Sequence, residues 1–126
     1  MEKRIGIIGA GVAGLHLGLH LRRHDVPVTI ITDREPEAHA ALKLMNTVAH
    51  HHVTLGRERG LGIAHWDDRD YHYFCHHHYF GGPQPLRFRG DFAAPSRAVD
   101  YRLYLPTLMN DFLAEGGEIE YRQVAA

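Results

Sequence analysis

Ile5, Ile7 and Ile8 form the first apolar cluster of the chain, and Gly9-Ala10-Gly11 follow it at once. A short apolar run closed by glycines reads as a buried strand over Arg4 to Ile8 that ends in a tight turn. The next segment, Val12 to Arg23, places Leu15, Leu17, Leu19 and Leu21 in an alternation that imitates a strand. Its length and its Ala, Leu, His and Arg content favour a largely buried helix instead. His24-Asp25 ends that helix, and Val28 to Thr32, β-branched throughout, reads as the second parallel strand of a right-handed βαβ unit.

The pattern loosens between Arg34 and Gly62, where only a short helical or irregular segment around Ala38 to Ala49 is expected. Tyr71 to Phe80 is dense in aromatic residues and histidine; Gly81-Gly82-Pro83-Gln84-Pro85 marks a turn, and Leu86-Arg87-Phe88-Arg89 resumes an alternation. These stretches predict a hairpin. From Val99 onward, Leu103, Leu108, Phe112 and Leu113 fit helical spacing in part, and Gly116-Gly117 supply a stop. Pro106 suits a first turn and disrupts an interior, so this helix is expected to start near Leu105 or to kink there. Glu118 to Val124 reads as a further strand.

The glycines change the picture from fold to chemistry. Gly9-Ala10-Gly11-Val12-Ala13-Gly14 is a G-x-G-x-x-G between a predicted strand and a predicted helix, the context of a dinucleotide-binding turn. Gly9 permits the turn, Gly11 leaves room for a pyrophosphate, and Gly14 lets helix and strand approach. The phosphates would meet the helix N-terminus, whose free N–H groups and dipole favour negative charge. Asp33 lies 19 positions beyond Gly14, close to the ~20-residue spacing at which a carboxylate accepts hydrogen bonds from the adenosine ribose. Arg34 beside it leaves room for a 2′-phosphate, so FAD, NAD and NADP all remain open at this point.

Composition narrows the partners. Fourteen Lys plus Arg balance fifteen Asp plus Glu for a formal net charge of -1, which leaves no basic footprint for nucleic acid or an anionic membrane. The single Cys75 rules out an internal disulfide framework and suits the cytoplasm. Lys3-Arg4 before an apolar run imitates a signal peptide, but Glu2, His16, His20 and the absence of a small-residue cleavage site before Arg22-Arg23 argue against one. The apolar stretch also falls short of the ~20 residues of a membrane span.

A broader likeness selects among the dinucleotides. Ile5 to Gly11, Ala13 to Leu19, Thr32-Asp33-Arg34, Asn46-Thr47-Val48-Ala49-His50, Gly81 to Pro85 and Ala94 to Tyr104 together resemble the styrene and indole monooxygenases, the last three stretches most specifically. The resemblance implies an α/β fold: a Rossmann-like FAD-binding βαβ unit plus part of an antiparallel substrate-side sheet. It also implies that 126 residues are an amino-terminal fragment with the fold incomplete. FAD-binding elements would lie at about 1–50 and 97–126, and the substrate-side hairpin at about 70–93. A second FAD-contacting segment, a Gly-Asp motif, would lie beyond Ala126, so the chain alone is expected neither to hold FAD firmly nor to epoxidise.

Members of that family bind FAD, receive it reduced from an NADH-dependent flavin reductase, and epoxidise small aromatic alkenes with O2. A homodimer is compatible with the resemblance. It assigns Gly9, Gly11, Gly14 and Asp33 to the adenosine end of the cofactor and Lys43, Leu44 and Asn46 to the rest, with Ala10, Ala13 and Arg34 as further cofactor-binding residues, while Arg102 either approaches the flavin from the following helix or lies on that helix's solvated face. Lys43 departs from the family's usual arginine and loses its planar fork. Tyr73, His76 and Ser96 would form the substrate pocket near the flavin ring. The chemistry asks the protein to position substrate and exclude water, so no residue is assigned as a catalytic acid or base.

Two other readings compete. The glycine motif alone also fits an NAD(P)-dependent oxidoreductase domain. The 12 histidines, with runs at His50-His51-His52 and His76-His77-His78, suggest a metal-binding module. On a strand His76 and His78 share one face and His77 takes the other, and no H-E-x-x-H or C-x-x-C accompanies them. In the resembling family His50 and His76 have counterparts, while His77 and His78 stand where tyrosines are common.

Overall fold

The computed structural model describes residues 3–43, 48–66 and 71–125. Its elements are β1 (Ile5–Ile8), α1 (Val12–Arg23), β2 (Val28–Thr32), α2 (Pro36–Ala40), β3 (Val48–His50), α3 (His52–Gly60), β4 (His72–Phe80), β5 (Leu86–Val99), α4 (Tyr101–Ala114) and β6 (Glu118–Tyr121). They divide into two compact units, one of Met1–Asn46 with Asp100–Ala126 and one of Thr47–Val99.

The first unit is a parallel α/β layer. β2 runs down the middle of the sheet order β1-β2-β6, pairing Ile7 with Ile30 on one side and Ile30 with Ile119 on the other. The βαβ unit keeps its expected elements, but β1 is not the buried strand its composition suggests. Only Ile7 of its residues is buried, and Ile8 is 72% exposed, because β1 is an edge of the three-stranded sheet. Helix α1 likewise buries one stripe, Leu15, Gly18 and Leu19, and leaves Leu17 exposed. That i, i+3, i+4 spacing is the helical period that overrides the leucine alternation. The helix ends at His24, followed by Asp25 at a φ of 57°, a conformation that Asp tolerates better than most residues.

Helix α4 supplies much of this unit's core through Tyr104, Leu105, Leu108, Met109 and Phe112. It starts four residues before Leu105, with Pro106 inside it. A capping interaction explains the early start: the Asp100 side chain accepts a hydrogen bond from the Arg102 N–H at 2.9 Å. Pro106 has no N–H to offer the carbonyl of Arg102, a loss tolerated one turn into a helix whose buried face is otherwise continuous. At the other end Gly116 adopts a φ of 79°, and the Gly117 N–H reaches the Phe112 carbonyl at 2.9 Å. This is the glycine stop that the sequence predicts. β6 then pairs with β2 but ends at Tyr121, three residues before Val124.

The second unit is an antiparallel sheet of order β3-β5-β4, with α3 packed against it. The expected hairpin is present, and β5 continues through Val99, well past the turn-proximal alternation at Arg89. Its register shifts between Tyr73 and Cys75: Tyr73 faces Ser96, whereas Cys75 faces Asp91, so β5 carries the extra residues. The segment expected around Ala38 to Ala49 divides into α2, an undescribed stretch at 44–47, and β3. Helix α3 has no counterpart in the sequence reading. Only Leu55 and Glu58 are buried in it, too sparse a stripe to register as a period.

The packing of α4 gives a test. A Cβ at Gly117 would sit 2.2 Å from Phe112 Cζ, and one at Gly18 would sit 2.9 Å from Phe112 Cε2. Gly117→Ala should therefore cost about 1–3 kcal/mol by overpacking, read from urea denaturation, and Phe112→Leu in the same chain should reduce the cost of that added methyl. Equal costs in both backgrounds would mean that the ring does not set the limit.

Candidate functional site

The glycine turn is built as its spacing requires. Gly9 leaves β1 at a φ of 102° and donates its N–H to the Ile31 carbonyl at 2.8 Å. A Cβ at Gly14 would lie 2.1 Å from the Gly9 carbonyl oxygen, so α1 can cross the turn only because residue 14 has no side chain. At Gly11, the N-cap of α1, a Cβ would meet nothing within 4 Å. That is open space in front of a helix whose first turn carries no acidic side chain and receives no side-chain cap. Unpartnered N–H groups at such a terminus accept an anion readily. Ala10 is buried beneath the turn, while Ala13 is exposed on the first turn of the helix.

Beside the turn, a cavity of about 320 Å³ opens at the carboxyl ends of the parallel strands. Gly9, Thr32 and Asp33 line it with Arg122, Gln123 and Val124, which follow β6. Ligands of parallel α/β sheets bind at strand carboxyl ends. Sequence reasoning found Gly9 and Asp33 here and missed Thr32, Arg122 and Gln123. The pairing of β6 with β2, which brings the last two to the cavity, was the signal needed, and it is a property of topology.

The other assigned residues of this unit separate. Arg34 is exposed, with its backbone N–H on Thr32 Oγ1 at 3.3 Å. Lys43 is exposed, and Leu44 and Asn46 lie outside the described residues. Arg102 is engaged with the capping carboxylate: its terminal nitrogen lies 2.8 Å from Asp100 Oδ2 and its Nε 3.1 Å from Oδ1. The pair stabilises both charges, holding the Asp100 carboxyl below its ordinary value and Arg102 above its own. Any contact of Arg102 with a cofactor would have to compete with this fork.

In the second unit, Tyr73 and His76 meet at Phe92, which the sequence reading did not nominate, and Ser96 joins them as the ladder partner of Tyr73. Tyr73 faces Ser96 across the β4–β5 ladder, and its ring meets Phe92 edge-on at 5.6 Å. The His76 ring lies 5.0 Å from Phe92 and covers Gly90, where a Cβ would fall 2.4 Å from Nε2. Ser96 is 1% exposed and shares a 2.8 Å hydrogen bond with His51 Nδ1. His51 in turn approaches Phe92 at 5.7 Å. The register shift between Tyr73 and Cys75 is what lets residues three apart on β4 reach one aromatic ring.

The histidine runs disperse into separate environments. His50 is buried beside Glu58, His51 bonds Ser96, and His52 is exposed. His76 and His78 contact each other at 4.6 Å, and His78 stacks on Phe88 at 4.8 Å. His77 instead lies edge-on to Tyr79 at 6.2 Å. Among the described residues, no three His, Cys, Asp or Glu side chains are grouped to hold a metal ion. No helix of the described residues is long and apolar enough to cross a membrane.

The fold of this chain recurs in solved proteins. Solved structures that share it include a mutant of MHPCO (TM-score 0.70, 20% identity, 95% of this chain and 31% of that one). PieE in complex with FAD and substrate is similar over 94% of this chain and 24% of its own (TM-score 0.66, 19% identity). Aklavinone-11 hydroxylase with FAD and aklavinone matches over 94% and 25% (TM-score 0.63, 17% identity). In sequence, the chain is similar to the amino-terminal 30% of styrene monooxygenases. It is 58% identical over all 126 residues to styrene monooxygenase StyA of Pseudomonas sp, and 58% identical over 125 residues to StyA of Pseudomonas fluorescens. The chain spans about 30% of the length of these two relatives. No family model matches it.

His39 offers a pH test of the first unit. It is buried on α2, neither ring nitrogen has a hydrogen-bond partner among the described residues, and burial lowers its pKa from the ordinary 6.5, with the charge of Arg34 adding to the effect. The folded state therefore favours the neutral ring. The stability it contributes is complete above pH 6.5 and is lost as the pH falls through that value toward the lower folded one. Urea midpoints between pH 7.5 and 5 should fall more steeply for the native chain than for His39→Leu; parallel slopes would remove His39 from the account.

Proposed function

We propose that this chain is the FAD-binding amino-terminal portion of a cytoplasmic flavoprotein monooxygenase that epoxidises small aromatic alkenes of the styrene or indole kind with O2. A NADH-dependent reductase supplies the flavin in reduced form. The observation that carries the proposal is the 58% identity to StyA along the whole chain, in a fold shared with FAD-bound monooxygenases. The residues present fit the cofactor. Space at Gly11 and the bare N-terminus of α1 suit a pyrophosphate, and Asp33, on the cavity wall, suits an adenosine ribose.

On this reading Gly9, Ala10, Gly11, Ala13 and Gly14 cradle the diphosphate, Asp33 accepts from ribose hydroxyls, and Arg34, Lys43, Leu44 and Asn46 extend the contact along the cofactor. FAD, when bound and reduced, supplies the activation of O2 and the oxygen transferred to the alkene. The chain's own share is positional. Tyr73, His76 and Phe92 provide an aromatic wall against which a flat alkene packs. Ser96, held by His51, contributes one fixed hydroxyl to an otherwise apolar surface. Neither group is required to carry a proton for the reaction.

Two sets of substitutions in the full-length flavoprotein carrying this segment should separate the roles. Gly11→Val fills the space reserved for the diphosphate and should weaken FAD retention roughly tenfold or more. Tyr73→Ala and Ser96→Ala should instead change the kcat/KM ratio between styrene and indole, with FAD retention within about twofold of the parent. The proposal fails if Gly11→Val keeps its flavin, or if the Tyr73 and Ser96 variants release flavin while turnover stays the same.

A further inference from the structure

Among the described residues of the second unit, the most deeply buried charge lies in the helix that the sequence pattern did not reveal. Glu58 of α3 is 1% exposed, and its two carboxylate oxygens are divided between two strands. Oε1 lies 2.6 Å from His50 Nδ1 on β3, and Oε2 pairs with the Arg97 guanidinium on β5. Both partners are buried, and they face each other directly in the β3–β5 ladder. One carboxylate thus fastens a helix and two strands at a single rung. Arg97 also lies over the Trp66 ring at 6.0 Å, while its Nε finds no hydrogen-bond partner among the described residues. The placement of the guanidinium therefore leans heavily on Glu58.

The neighbouring rung is the candidate substrate pocket. Side chains alternate faces along a strand, so Arg97 and Ser96 point to opposite sides of the sheet, and His51, which follows β3 as the N-cap of α3, hydrogen-bonds Ser96. On β4 the same alternation places His72 opposite Arg97 and Tyr73 opposite Ser96. Along β5 the Glu58 rung is immediately adjacent to the Ser96–Tyr73 pair, on whose serine His51 is held. Stability alone gives no reason for charges here, because apolar residues of similar volume often replace a buried ion pair without loss. What an apolar contact does not supply is a fixed direction and length, and the hydrogen bond between His51 and Ser96 depends on both.

We propose that Glu58 is a positioning residue for substrate, acting through the His50–Arg97 rung to set the His51–Ser96 hydrogen bond and the Tyr73 side of the pocket. The proposal rests on the functional reading above, and two readouts keep the two separable. The full-length flavoprotein carrying this segment is prepared as the parent, as Glu58→Gln, and as an apolar triple variant with His50→Leu, Glu58→Leu and Arg97→Met. Each is assayed for FAD affinity, for kcat and KM with styrene, and for the fraction of NADH consumption recovered as epoxide. The imidazole nitrogens of His51 are followed by NMR in the same proteins.

In Glu58→Gln, kcat should fall roughly ten- to a hundredfold, with a smaller share of NADH recovered as epoxide and FAD affinity within about twofold of the parent. The His51 Nδ1 resonance should move toward that of a free imidazole. The triple variant, folded without the buried charges, should show the same kinetic loss. Should either folded variant retain the parent's kcat, coupling and His51 resonance, Glu58 is merely structural and the proposal is overturned. A parent that binds FAD yet forms no epoxide defeats the functional reading, and the His51 resonance alone then judges Glu58.

Discussion

A side chain at residue 14 would place its Cβ 2.1 Å from the carbonyl oxygen of Gly9, a distance that admits no side chain at all. The first unit is organised by that close approach. It sets α1 directly on the turn that leaves β1, so the helix N-terminus opens beside Gly11 and beside the ends of the parallel strands. The same intimacy continues along α1, where Gly18 accommodates the Phe112 ring and Ile30. Gly117 accommodates Phe112 from the start of the segment leading to β6. Glycines therefore set how closely α1, α4 and the sheet can pack, and the cavity lined by Asp33, Arg122 and Gln123 lies where this packing leaves the strand ends open.

The second unit answers a different constraint. Its hairpin exposes Tyr79, Phe80, Leu86 and Phe88, so little of its aromatic content is spent on a conventional core. Its most buried groups include polar ones, among them Ser96, Arg97, His50 and Glu58. Buried polar atoms are costly unless hydrogen-bonded, and once bonded they fix geometry more sharply than apolar packing does. An antiparallel sheet with little core has reason to obtain its order this way.

What the sequence made legible follows from how local each signal is. The βαβ unit, the hairpin and the glycine stop after α4 are written in adjacent residues: Gly9 to Gly14, Gly81 to Pro85, and Gly116-Gly117. Each could be read without knowing what it packs against. Helix α3 could not, because its burial reduces to Leu55 and one carboxylate whose partners are on other elements. The exposure of Ile8 was likewise hidden, since a strand's composition does not say whether it lies at the edge of its sheet. Among the site residues, Gly9 and Asp33 were legible by spacing, whereas Arg122 and Gln123 needed the parallel pairing of β6. Tyr73, His76 and Ser96 entered through family resemblance; the structure shows Tyr73 and His76 on Phe92 beside a register shift, and Ser96 opposite Tyr73.

On the proposed function, the glycine turn and Asp33 grip the adenosine half of a flavin dinucleotide. The most direct test is a fluorescence titration with FAD, with FMN and with NADH of the flavoprotein proposed to carry this segment. FAD should bind at least about tenfold more tightly than either, since FMN lacks the adenosine that the site holds and NADH lacks the flavin. Equal affinity for FAD and FMN would contradict the claim, because a site that does not sense the adenosine half is not the one described.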